Sequence, residues 1–135
     1  MPKQKQSINW WEISFSIAVI FILVGIFHYI VVNNGFSYVL NPYLFFGLSD
    51  IGYVFYLILS LLFFLLIVLF IHKKILSNTA VILLFSGVLI NLVDRFVYGG
   101  AIDYFKIADF PVFNIPDILI TAGMFILAVK IIQKV

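Results

Sequence analysis

The chain contains no cysteine, only two histidines, and few charges: eight Lys and Arg against six Asp and Glu, 10% of its 135 residues. Without cysteine there are no disulfides, no thiolate nucleophile and no Cys-based metal site. His28 and His72 fall in different segments with no ligand spacing, which argues against zinc and leaves no metal expected. A net charge of +2, scattered in ones and twos, is no electrostatic footprint for nucleic acid, and none is expected as a partner. What fills the chain instead is apolar: 64% hydrophobic residues and a mean hydropathy of +1.21. A soluble domain carries closer to half. The composition therefore predicts one polytopic membrane domain over residues 1–135.

Four apolar runs stand out, at roughly 13–32, 53–71, 79–93 and 118–132. The first follows Lys3 and Lys5 as a cleaved signal would, but it exceeds a signal h-region and no A-x-A site follows, so it is expected to be a retained anchor. The first two runs are long enough to cross a hydrocarbon core of about 30 Å as helices. The last two, at about 15 residues and roughly 22 Å, are expected to fall short of it. Lys3, Lys5, Lys73, Lys74, Lys130 and Lys134 all lie on one side of a four-helix hairpin arrangement, which makes that side cytoplasmic and places both termini there. Asp50, Asp94, Asp103, Asp109 and Asp117, five of the six acids, face outward with Arg95 and Lys106.

The two outward connections carry strand-like patterning. Phe36-Ser-Tyr-Val-Leu40 alternates, and the stretch from Phe96 to Phe105 mixes β-favouring residues around Gly99-Gly100, so a small extracytoplasmic sheet or cradle is expected. The fold class is thus an all-α membrane protein of four transmembrane helices with a β-like cradle. Phe36, Tyr38, Tyr43, Phe45 and Phe46 fit either a substrate cleft or an interfacial aromatic belt. Gly87 and Ala80 on the third run, and Ala122 and Gly123 on the fourth, are small enough for close helix contact. His28 and Glu12 read as packing or helix-flank features.

Carboxylates are costly near hydrocarbon, so the outward cluster is where chemistry should lie. Asn91, Asp94 and Arg95 stand at i, i+3 and i+4, on one helical face, either as a hydrogen-bonded platform or as a helix end meeting headgroups and water. Asn114-Ile-Pro-Asp117 reads as a helix entry, with Asn114 the N-cap and Asp117 in the first turn, where the helix dipole favours its ionised form. Asp103 sits among apolar neighbours with no capping role and needs water or a partner. Two carboxylates sharing a proton would supply the acid and the base for hydrolysis of a peptide bond by water. Spacing alone leaves the pairing open among Asp94, Asp103, Asp109 and Asp117.

Three ordered segments bear on that choice: Ser86-Gly-Val-Leu-Ile-Asn-Leu-Val-Asp-Arg95, Gly100-Ala-Ile-Asp-Tyr104, and Phe110-Pro-Val-Phe-Asn-Ile-Pro-Asp-Ile118. They resemble, in order, the N-x-x-D-R, V-V-D-F-like and W-P-x-F-N-x-A-D segments of lipoprotein signal peptidase, or signal peptidase II. Asn33-Asn-Gly35-Phe-Ser-Tyr38 is similar, less closely, to the family's N-x-G-x-x-F segment. Pro116, Ile90 and Phe110 stand where the family has Ala, Gly and Trp, and its D-Q-x-x-K segment after the first helix is missing.

The resemblance implies an intramembrane aspartic endopeptidase of the bacterial inner membrane. Such an enzyme removes the signal peptide from a prolipoprotein before a diacylglyceryl-cysteine; no cofactor is expected, and the chain is expected to be a monomer in membrane lipid. By motif position, Asp103 and Asp117 become the catalytic pair. Asn91, Asp94, Arg95 and Asn114 become positioning residues, Asn33 lies near the substrate, and Asp109 is a solvated loop residue. Two alternatives are a degenerate family member acting in binding or assembly, and a small cation-binding transport subunit.

Overall fold

The structure is a computed structural model that describes residues 9–42, 61, 64, 65, 68 and 77–133. Among these residues, three helices and two short strands follow one another: α1 (Trp10–Asn33), β1 (Val39–Asn41), α2 (Asn78–Tyr98), β2 (Ala101–Asp103) and α3 (Ile115–Ile132). All three helices are long and apolar enough to cross a membrane. The expected span at 53–71 lies outside the described residues, apart from helical positions Leu61, Phe64, Leu65 and Val68.

Each helix starts where a side chain replaces the missing backbone acceptor of the first turn. Asn9 accepts from the Glu12 N–H, Ser77 from Ala80 and Asn114 from Asp117. α2 stops at Gly99, whose φ of 81° is the left-handed conformation that glycine adopts without a Cβ penalty, and the Gly99 N–H closes on the Arg95 carbonyl.

The expectation of two short outer helices is corrected. α2 has 21 residues and α3 has 18, or about 31 and 27 Å at 1.5 Å per residue. The apolar run ends at Val93, but Asp94 is buried inside the helix, which continues to Tyr98.

α2 is the central element, packed against α3 and α1. The core is Ile13 of α1, Ala80, Val81 and Leu84 of α2, and Ile120 of α3. Two glycines set the α2–α3 approach. A Cβ on Gly87 would lie 2.6 Å from the Pro116 carbonyl oxygen, and one on Gly123 would lie 2.7 Å from Leu84 Cγ. Gly87, Gly123 and buried Ala80 thus serve the contact expected of them. The outer surface of α1 exposes Phe15, Ile22, Leu23, Ile26 and Phe27, an apolar stripe suited to lipid rather than to water.

The small sheet is present, with its first strand displaced toward the C-terminus of the expected segment. β1 pairs antiparallel with β2 in the register Val39↔Asp103, Leu40↔Ile102, Asn41↔Ala101. A Cβ on Gly100 would come within 3.0–3.2 Å of the Asn41 backbone, so a glycine there lets the chain enter β2 beside β1. Beyond β2, Phe105 and Phe113 exchange both backbone hydrogen bonds, which returns the chain to the start of α3. Of the aromatics between the first two apolar runs, Phe36 is exposed and Tyr38 half-buried, while Tyr43, Phe45 and Phe46 lie outside the described residues.

Candidate active site

The site forms where the sheet meets the start of α3. Strand β2 is buried along its whole length and carries Asp103 inward. The first turn of α3 carries Asp117, and Asn114, fully buried, joins the two. Its Nδ2 donates to Asp103 Oδ1 at 2.8 Å and to Asn91 Oδ1 at 2.9 Å. Its Oδ1 accepts from the Asp117 backbone N–H at 2.9 Å, while its own backbone N–H donates to Asp117 Oδ2 at 3.2 Å. The last two bonds are a reciprocal capping box. The residue read as a helix cap is therefore also the bridge between the carboxylates.

Two more amides complete the enclosure. Asn91 Nδ2 donates to Asp117 Oδ1 at 2.9 Å, and Asn41 Nδ2 donates to Asp103 Oδ2 at 3.0 Å. Arg95 donates from Nη1 to the Asn91 carbonyl at 2.8 Å. Asp103, Asp117, Asn41 and Arg95 line a cavity of about 230 Å³ that continues over Val112, Ile120, Thr121 and Met124. Asp117, Ile120, Thr121 and Met124 are spaced i, i+3, i+4 and i+7, so the cavity follows one face of α3 away from the carboxylates.

Burial pushes the Asp103 carboxyl up from 3.8 to about 6. Asn41 opposes the rise, the Asp117 carboxylate adds to it, and Arg95 and Asn114 oppose it again. A carboxyl poised there changes charge close to neutral pH, as acid–base catalysis requires.

Asp94 and Asn33 stand apart from this enclosure. The single face expected of Asn91, Asp94 and Arg95 is divided: Asn91 and Arg95 serve the cavity, whereas Asp94 Oδ2 meets His28 Nδ1 of α1 at 2.7 Å. His28 Nε2 in turn lies 3.2 Å from the Tyr104 hydroxyl, which accepts the Ile115 N–H at 3.1 Å. Asn33 is exposed at the end of α1 and donates back to the Tyr29 carbonyl at 2.8 Å. Asp109 is exposed in a turn, as expected.

Sequence reasoning missed Asn41 and the polar role of His28. Asn41 ends a strand-like segment before a proline, a weak signal, and a lone histidine in an apolar helix announces no partner. Among the described residues, no three His, Asp or Glu side chains come together as a set of metal ligands. The arrangement suits acid–base chemistry by two carboxyl groups.

The fold and site define a multi-pass membrane protein with a buried, amide-held carboxylate pair, and the comparisons give the family. Residues 32–133 match the family described as Signal peptidase (SPase) II, and the chain belongs to it. It is 33% identical to a lipoprotein signal peptidase of Chlamydia pneumoniae over 132 residues, covering 90% of this chain and 67% of that protein. It is 41% identical to one from Geobacter sulfurreducens over 63 residues, 44% of this chain and 39% of the relative. Against relatives from Lactococcus lactis and Campylobacter jejuni, the match spans 55% and 54% of their length. The chain thus spans about half the length of several curated relatives. The fold is also similar to a solved bacterial membrane enzyme, with a TM-score of 0.84 at 20% identity, covering 97% of this chain and 93% of that one.

Proposed function

We propose that this protein is an intramembrane aspartic endopeptidase that removes signal peptides from diacylglyceryl-modified prolipoproteins, with Asp103 and Asp117 as the catalytic pair. The observation that carries the reading is the Asn114 bridge: one buried residue, through its side-chain amide and its backbone N–H, holds both carboxylates at the wall of one cavity in a member of the signal peptidase II family. Asn41, Asn91 and Arg95 join Asn114 as positioning residues, and the face of α3 through Ile120, Thr121 and Met124 accommodates apolar parts of the substrate.

In the proposed reaction, a water between the carboxyl groups attacks the scissile carbonyl carbon. The ionised carboxylate takes a proton from that water, and the protonated one donates to the carbonyl oxygen. Collapse of the tetrahedral intermediate breaks the C–N bond as a proton passes to the leaving nitrogen. The pair titrates as a unit, so the proton belongs to the dyad rather than to one member.

Four crossing helices in a single domain, a monomer in the bacterial inner membrane, both termini cytoplasmic and the site outward complete the proposal. The chain lacks cysteine, so single cysteines report orientation. Asp109→Cys is expected to react with an impermeant thiol reagent from outside, and Gln133→Cys only after the membrane is opened.

The deciding experiment is cleavage of a diacylglyceryl-modified prolipoprotein peptide by the purified protein in detergent or lipid. Asp103→Asn and Asp117→Asn should each abolish turnover while the protein stays folded. Full activity in either variant sinks the dyad.

A further inference from the structure

Among the described residues, a second enclosed polar contact takes no part in the proposed reaction. His28 and Asp94 are 1% and 4% exposed, on different helices, in a chain with few polar groups to bury. Such groups are retained at a cost unless each is satisfied. One arrangement of donors and acceptors satisfies these groups in turn. The Ile115 N–H donates to the Tyr104 oxygen, and in this arrangement the Tyr104 O–H donates to His28 Nε2. Nδ1 then carries the ring proton and faces Asp94 Oδ2 at 2.7 Å, a close polar contact rather than an aligned hydrogen bond. Burial holds Tyr104 as a neutral phenol, its ionisation pushed up to about 12, so its hydroxyl remains a donor.

One end of this chain lies beside the carboxylates. Tyr104 follows Asp103 directly, and Ile115 opens the helix that carries Asp117 two residues later. Phe27 and Phe105 pack edge-on against the Tyr104 ring and hold it in place.

We propose that His28 and Tyr104 are positioning residues for the carboxylate pair. The chain Ile115 N–H to Tyr104 to His28 to Asp94 ties the segments bearing Asp103 and Asp117 to α1 and α2, and so fixes their mutual placement for turnover. This inference rests on the proteolytic reading above.

The test compares Tyr104→Phe, His28→Leu, the double variant and His28→Gln in cleavage of the diacylglyceryl peptide, per folded molecule. Each of the first two should lower kcat about tenfold, the order expected for a buried hydrogen bond left unmade, with KM within about twofold. The double variant should be no worse than the poorer single one, because both break one chain. Gln offers an acceptor and a donor in place of the two ring nitrogens and should recover most of the rate. Unchanged kcat in Tyr104→Phe and His28→Leu, or losses that multiply in the double variant, overturn the inference while leaving the protease reading intact.

Ring ¹⁵N spectra, with His72→Gln so that one histidine remains, need no turnover. They should show a protonated Nδ1 and a bare Nε2 that shifts in Tyr104→Phe. A protonated Nε2 overturns the relay even where the wild type cleaves. A folded wild type that fails to cleave overturns the protease reading and the positioning role with it.

Discussion

Replacing Asp103 with Asn should stabilise the folded protein at neutral pH while it abolishes turnover. The native state holds the Asp103 proton more tightly than the unfolded chain, with values of about 6 and 3.8. Between those values the native state binds more protons, so the stability linked to this group is fully present below about pH 4, falls as pH rises through about 6, and then levels. Two pH units at about 1.4 kcal/mol each give roughly 3 kcal/mol. The Asp103→Asn side chain escapes that penalty but presents one acceptor where Asp103 presents two. Asn114 cannot turn to compensate, because its Oδ1 caps the Asp117 N–H, so the adjustment falls on Asn41 at a cost of about 1 kcal/mol. The net gain at pH 7.5 is about 2 kcal/mol, or roughly 5–8 °C in Tm for a chain of this size. Thermal unfolding of both proteins in one detergent from pH 4 to 7.5 measures it as the difference in Tm. That difference should be zero or negative at pH 4 and widen to its full value by about pH 7. A difference constant across the range, or one that narrows as pH rises, refutes the assignment of Asp103 as a carboxyl strained by burial.

Asn114 separates cap from bridge: Asn114→Ser keeps a good helix cap and should melt about 1 kcal/mol above Asn114→Ala, yet both should lose turnover about a hundredfold, as unfolding curves and initial rates will show. Gly87→Ala places a Cβ 2.6 Å from the Pro116 carbonyl and should cost about 1–3 kcal/mol by thermal unfolding. Gly25→Ala, with nothing within 4 Å of the new Cβ, should stabilise α1 by about 0.5–1 kcal/mol in the same assay. Gly100→Ala crowds the Asn41 backbone and should reduce kcat more than Tm, because it moves the Asn41 amide off Asp103.

How far the sequence could be read depended on whether a residue's partner was local. The cap of α3 was legible because Asn114 and Asp117 are three residues apart, as was the role of Gly87, Ala80 and Gly123, since small residues in an apolar run leave room for a neighbouring helix. The end of α2 was misjudged because Asp94 and Arg95 look like the edge of a membrane run. Asp94 is tolerated inside the helix by His28, and that partner comes from a distant segment. Asn41 was illegible for the same reason: an asparagine before a proline reads as a turn until the pairing of β1 with β2 carries it to Asp103. Neither spacing nor charge chose Asp103 and Asp117 from four candidates. Ordered resemblance to a family did so, and Asn114 contacts both carboxylates at the wall of one cavity.

The choice of amides around the pair suits the proton-sharing dyad proposed above. Asn41, Asn91 and Asn114 give the two carboxylates neutral donors. An ammonium or guanidinium in each of those places would hold both groups ionised, well below the range where either could act as an acid. With no donors at all, burial would hold both protonated, and neither could act as a base. Neutral amides fall between these limits. They satisfy the oxygens, oppose the effect of burial only in part, and leave Asp103 near 6. Arg95 adds a single positive charge at the cavity wall, where its Nη1 donates to the Asn91 carbonyl. An arrangement of this kind suits a pair that holds one proton near neutral pH, the condition on which the proposed protease mechanism depends.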